Sequence, residues 1–101
     1  REKAAENQFS HNKESEFKAS ARRNKLLGIW AAEQMGITGE AVDAYARQVI
    51  DSDFEEVGND DVYRKVKRDF DEKNVDKSER QIRRQMDELM AIAREQIKSE
   101  V

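Results

Sequence analysis

Not one of the 101 residues is proline, and only Gly28, Gly36, Gly39 and Gly58 lack a side chain. Almost nothing along the chain therefore forces a helix to stop, because proline and glycine are the residues that interrupt helices. β-structure has little support, and a small number of long helices is the expected fold. The length suits one compact unit and is too short for two independent cores.

The core of that unit must be thin. Charged residues make up 41% of the chain and the apolar set 37%, where soluble domains typically hold about 25% charged residues. Leu, Ile, Val and Phe together reach only about one-fifth of the chain, the level at which a highly charged chain stays disordered. Here the formal net charge is only −3. Interleaved acids and bases of this kind form solvated helix faces with partners three and four residues away.

The chain contains no cysteine. It therefore offers no disulfide and no thiolate metal site, and a cytoplasmic setting is expected. No apolar run approaches the roughly 18 residues that span a bilayer, and no signal-peptide pattern opens the sequence, so a chain without direct membrane insertion is expected.

Periodicity and capping signals divide the chain into a polar leader, 1–19, and a globular part, 20–101, with helices expected over about 17–35, 39–57, 60–73 and 78–99. Up to Glu16 the only large apolar residue is Phe9. The leader holds good helix formers but has no face to bury, and such a helix is marginal in water. It is expected to fray or to project from the bundle as a mobile segment. Leu26, Leu27 and Trp30 begin the core, and Gly36 is a stop. Gly28, in the middle of that run, costs about 1 kcal/mol relative to Ala. It implies either a close helix approach or a weak hinge.

Thr38 is the expected N-cap of the second helix, whose Val42, Tyr45, Ala46, Val49 and Ile50 form a buried stripe, with Phe54 one turn on. Gly58 ends it. Asn59 or Asp60 caps a short third helix with Val62, Val66 and Phe70 on one face, and Asn74 is a left-handed stop. Ser78 and Gln81 make a capping box before Ile82, Met86, Leu89, Ala93 and Ile97. The expected fold is an all-α four-helix bundle, its first helix prolonged by the polar leader.

Chemistry-bearing constellations are scarce. His11 is the only histidine, so it cannot be half of a two-histidine metal pair. It reads either as an ordinary exposed side chain or as a charge that titrates near neutral pH in a docking segment. Asp51, Asp53 and Glu55 alternate like the start of a calcium loop, but Glu56 replaces the required glycine and Val62 the closing glutamate. No metal site, phosphate loop or nucleophile with its base is present in the sequence, and no enzymatic activity is expected.

Basic residues gather at Lys18, Arg22, Arg23 and Lys25, at Arg64, Lys65, Lys67 and Arg68, and at Arg80, Arg83 and Arg84. A sequence pI near 5.3 and the intervening Glu14, Asp69, Asp71, Glu79 and Asp87 break any continuous positive stripe. No nucleic-acid partner is expected. These bases are expected to pair with carboxylates on neighbouring turns.

The segment FKASARRNKLLGIWAAEQMG, Phe17 to Gly36, resembles the signature of the alphaproteobacterial zeta subunit, the inhibitor of the F-type ATP synthase. The similarity continues through DFEEVGNDDVYRKVKRDFD, Asp53 to Asp71, through RQIRRQMDELM, Arg80 to Met90, and into the leader. Ala5 stands where the family often has Phe, and Asn12 and Lys13 dilute its acidic tract.

The resemblance implies a four-helix fold whose N-terminal segment inserts into a catalytic interface of the synthase head, formed by its alpha, beta and gamma subunits, and stops ATP hydrolysis. The protein would be a monomer when free and peripheral to the inner membrane through the synthase. The resemblance also implies weak adenine-nucleotide binding, assigned to no residue, and otherwise no cofactor. The segment expected to meet the partner is Arg1, Glu2, Lys3, Phe9, His11, Phe17, Lys18, Arg22 and Arg23. Phe9 and Phe17 are eight residues apart and can share one helix face. Phe17 could instead cover the helix of Trp30 or the fourth helix, while Lys18, Arg22 and Arg23 could simply solvate the first. A synthase-binding or nucleotide-responsive module without inhibitory activity is the alternative.

Overall fold

The computed structural model describes residues 2–54 and 60–100, with side chains described over 15–53 and 60–100. Four helices follow one another: α1 (Glu2–Gln34), α2 (Glu40–Asp51), α3 (Asp60–Glu72) and α4 (Glu79–Glu100). A 3-10 turn, Ser52–Phe54, follows α2, and among the described residues there is no strand. The leader and the first expected helix are one continuous element of 33 residues.

Backbone chemistry explains where the helices stop. Gly36 takes φ 76°; its N–H donates to the Glu33 carbonyl at 3.1 Å and the Ile37 N–H reaches the Ala32 carbonyl at 2.9 Å. That pair of bonds is the Schellman closure of a helix. Asn74, at φ 59°, closes α3 in the same way through Asn74 N–H to Asp71 O and Val75 N–H to Phe70 O at 2.8 Å. Ile37 and Val75 then pack against the core, so each closure also buries an apolar side chain.

At the start of α4 the Ser78 Oγ accepts from the Gln81 N–H at 3.2 Å and the Gln81 Oε1 accepts from the Ser78 N–H at 2.8 Å, the expected capping box. The start of α2 differs from expectation. Gly39, not Thr38, is its N-cap, at φ 67°, and no side chain caps it. A positive φ there favours glycine over threonine. The α-helical run of α2 also closes earlier than the sequence pattern predicts. Ser52 Oγ donates back to the Val49 carbonyl at 2.6 Å, and the chain tightens into the 3-10 turn. Gly58 and Asn59 lie outside the described residues.

The core lies between α1 and the three shorter helices. Leu27, Ala31 and Ala32 of α1 meet Tyr45 and Val49 of α2, Val62, Val66 and Phe70 of α3, and Ile82, Met86 and Leu89 of α4. Trp30 stands edge-on to Phe70, with ring centroids 5.6 Å apart. Gly28 settles the choice between hinge and close approach. A Cβ there would lie 2.5 Å from the Ala46 Cα and 3.0 Å from its Cβ, so α1 and α2 cross where neither residue has a bulky side chain.

A second apolar cluster joins Ala19 to Ala93 and Ile97, flanked by Leu26 and Met90. The molecule measures 54 × 25 × 22 Å, and 33 helical residues rise about 50 Å. The long axis is therefore α1. With 22 residues, α4 covers only about 33 Å of that length, so the N-terminal part of α1 runs on past its partners.

Candidate functional site

The residues expected to meet a partner divide into two groups. Arg1 lies outside the described residues. Glu2, Lys3, Phe9 and His11 belong to the backbone of α1, and their side chains lie outside the described part. Phe17 is 78% exposed, so in the free chain it covers neither the helix around Trp30 nor α4. Lys18 is exposed beside it. Its ring is left to solvent beside charged neighbours, and burying such a side chain is worth about 1.5–3 kcal/mol.

Arg22 and Arg23 are held by the bundle. Arg22 is half-buried; Nη1 donates to Gln96 Oε1 at 2.8 Å and Nη2 to Glu100 Oε1 at 2.6 Å. Arg23 is only 3% exposed, so it neither solvates α1 nor presents itself to a partner in this state. Its Nε donates to Asn24 Oδ1 at 2.7 Å. Asn24, 1% exposed, passes the chain on by donating from Nδ2 to Asp53 Oδ2 at 3.0 Å. Burial pulls the Arg23 guanidinium below its ordinary value, while the charges of Asp53 and Asp87 oppose that shift. A guanidinium stays charged even so. This polar chain ties α1 to the 3-10 turn after α2, and Arg23 faces α4 through Asp87.

One further contact joins α1 to α4. Arg94 Nε donates to Glu16 Oε1 at 3.1 Å and to Oε2 at 3.3 Å. Between this pair and the Arg22 bonds sits Ala19, 1% exposed and packed on Ala93 and Ile97. The packed part of α1 therefore reaches into the segment that the sequence pattern assigns to the leader. A recess of about 500 Å³ lies beside this contact, lined by Glu16, Ser20, Arg23, Asp87, Met90 and Arg94.

The other basic groups pair largely along their own helices, as expected. Arg64 binds Asp61, Lys67 lies 2.9 Å from Asp71, and Arg83 lies 2.7 Å from Glu79 while also stacking on Tyr63, 4.3 Å from the ring centre. Lys65 lies 2.8 Å from Asp69. Among the described residues no group of three or more His, Cys, Asp or Glu is placed to hold a metal. No helix among them is long and apolar enough to cross a membrane. What the arrangement offers is a long charged helix, an exposed aromatic side chain on it, and a bundle that holds its base.

Sequence reasoning missed the α4 partners of this helix. The signal was present: Glu16, Ala19 and Arg22 step by three residues, as do Arg94, Ile97 and Glu100 with the charges in reverse order. Only the crossing of α1 with α4 makes that reversal meaningful.

Comparison with known proteins agrees with this architecture. The family model described as ATPase inhibitor subunit zeta matches residues 1–96. Among solved structures, a protein determined by solution NMR is 47% identical with a TM-score of 0.74, the match covering 84% of this chain and 96% of that one. A comparison with curated proteins returns no match.

Proposed function

Because the chain belongs to the ATPase inhibitor subunit zeta family, we propose that it inhibits ATP hydrolysis by the F-type ATP synthase by placing the N-terminal part of α1 in a catalytic interface of the synthase head, among its alpha, beta and gamma subunits. The observation that carries this reading is the exposure of Phe17 on a helix that outruns its bundle. A segment with few apolar residues gains little by folding back on its own core, and it orders more fully when a partner supplies the missing apolar surface. In this reading the bundle is an anchor with no catalysis and no resident cofactor of its own. The protein works in the cytoplasm as a monomer that reaches the membrane only through the synthase.

The test is ATP hydrolysis by the purified synthase head with added full-length protein, beside a version lacking residues 1–14 whose helicity and unfolding transition match the parent's. Ser15 is kept so that Glu16 and Ala19 still meet α4. Inhibition by the full-length protein alone supports the reading. If both bind and neither slows hydrolysis, the protein is a synthase-binding module, a role compatible with Ala5 replacing the Phe often found in the family.

A further inference from the structure

We propose that the C-terminal end of α4 is a two-sided charge clamp that sets the direction in which α1 leaves the bundle, making Arg94, Gln96 and Glu100 positioning residues for the N-terminal segment. This rests on the reading above for its consequence, but its geometry can be tested without it.

On a helix each residue turns by about 100°, so Glu16 and Arg22 lie about 120° apart with Ala19 midway between them. Ala19 is the residue pressed against α4. Glu16 and Arg22 therefore occupy the two opposite flanks of one contact line. On α4 the same spacing puts Ile97 in the middle, with Arg94 and Glu100 on its flanks. The bonds join flank to flank: Arg94 to Glu16 at 3.1 Å on one side, and Arg22 to Glu100 at 2.6 Å on the other, with Gln96 accepting a second bond from Arg22 at 2.8 Å. A rotation or tilt of α1 that shortens one side lengthens the other.

The position of the clamp gives it leverage. Glu100 is the last residue of α4 and Glu16 precedes the first buried position of α1 among the described side chains, Ala19. Beyond it, fourteen helical residues from Glu2 to Ser15 rise about 20 Å, so a 10° change of tilt at the clamp moves the tip by about 4 Å. Small Ala19 and Ala93 make the central contact smooth, which leaves orientation to the charged flanks. Ion pairs this exposed add little to global stability. Loss of the clamp therefore alters direction without unfolding the bundle.

The test uses the full-length chain, whose lack of cysteine lets spin labels be placed at Ala5→Cys and Ala44→Cys, with electron–electron distances measured in the free protein. The variant Arg94→Glu with Glu100→Arg turns both flanks repulsive through changes on α4 alone. It is expected to broaden the distance distribution while the unfolding midpoint stays within a few degrees of the parent's. Glu16→Arg added to Arg94→Glu restores one flank and should narrow the distribution again relative to Arg94→Glu alone. In the hydrolysis assay the α4 double variant is expected to need about tenfold more protein for half-inhibition, and the swap should recover most of what Arg94→Glu alone loses.

An unchanged distance distribution in the α4 double variant would overturn the clamp. So would a broadened distribution that the swap fails to narrow, since α4 would then act through something other than Glu16. If the parent protein does not inhibit hydrolysis at all, the inhibitory reading fails while the distance measurements still decide the clamp. If the α4 variant loses inhibition and the swap does not recover it, α4 touches the synthase directly and the positioning role falls.

Discussion

Tyr45 carries the clearest linkage to pH at the scale of one residue. It is buried, its hydroxyl donates to Asp69 Oδ2 at 2.8 Å, and Lys65 Nζ lies 2.8 Å from the same oxygen and 5.2 Å from the tyrosine ring. Burial, then the bond to Asp69, pushes the phenol well above its ordinary value, with Arg68 opposing. An unfolded tyrosine releases its proton near pH 10. Above that pH the unfolded chain binds fewer protons at this site than the folded one, so stability falls as pH rises. The contribution is complete below about pH 10 and is lost progressively above it. Tyr45→Phe should cost about 1–2 kcal/mol at pH 8 through the lost bond to a charged acceptor. It should then lose less stability than the parent between pH 8 and pH 11. Denaturant melts of both proteins at both pH values check this. Equal losses in the two proteins would show that Tyr45 is not the alkaline-sensitive group.

Between elements, the crossing of α1 and α2 leaves no room for a side chain at Gly28. An added methyl at Gly28 would meet backbone of α2, at 2.5 Å from Ala46 Cα, and backbone cannot rotate away as a side chain can. Gly28→Ala gains about 1 kcal/mol of helix propensity, but overpacking of this kind costs about 1–3 kcal/mol or more. The expected outcome is a lower unfolding temperature, read from the helical circular dichroism signal; a higher one would mean that α2 shifts without loss. The sequence pattern already pointed to a reason for this glycine, and it located the stops at Gly36 and Asn74 and the capping box at Ser78, because each of those depends on residues only a few positions apart. It erred where distant chain decides the outcome. Thr38 is a good cap by composition, but the approach of α2 to α1 asks for the positive φ that Gly39 supplies. Arg23 looked like a surface base because no local pattern reveals that Asn24 and Asp53, twenty-nine residues apart, meet beside it. Glu100 and Arg94 share a matching three-residue spacing with Arg22 and Glu16, but lying seventy-eight residues away they could be paired only once the crossing of α1 with α4 was known.

Across the whole molecule, the packed part of α1 and the segment proposed to inhibit lie towards opposite ends of one helix. Among the described side chains, the apolar contacts of α1 run from Ala19 to Ala32, and the final turn is sealed by the Gly36 closure. The N-terminal part has helix-forming residues but little apolar content, and helices shorter than about 12–15 residues are marginal in water unless packing supports them. With so little apolar surface to bury, it is expected to owe its helical state in the free protein mainly to continuity with the anchored half. Amides there should open by fraying from the N-terminus, whereas amides around Leu27 and Ala31 should open only when the bundle unfolds. Native-state hydrogen exchange checks this directly. Amides from about residue 5 to 12 should be only weakly protected, well below the core but above the unprotected rate, protection should climb steeply between Glu16 and Arg22 where α4 takes hold, and the slowest sites should lie near Leu27. On adding the synthase head, the early amides should become slow while those near Leu27 change little, because the partner would complete the helix's missing surface without rebuilding the core. Early amides as slow as Leu27 in the free protein would mean that the N-terminal part is held by contacts of its own. Binding would then have to break those contacts before the segment could enter an interface.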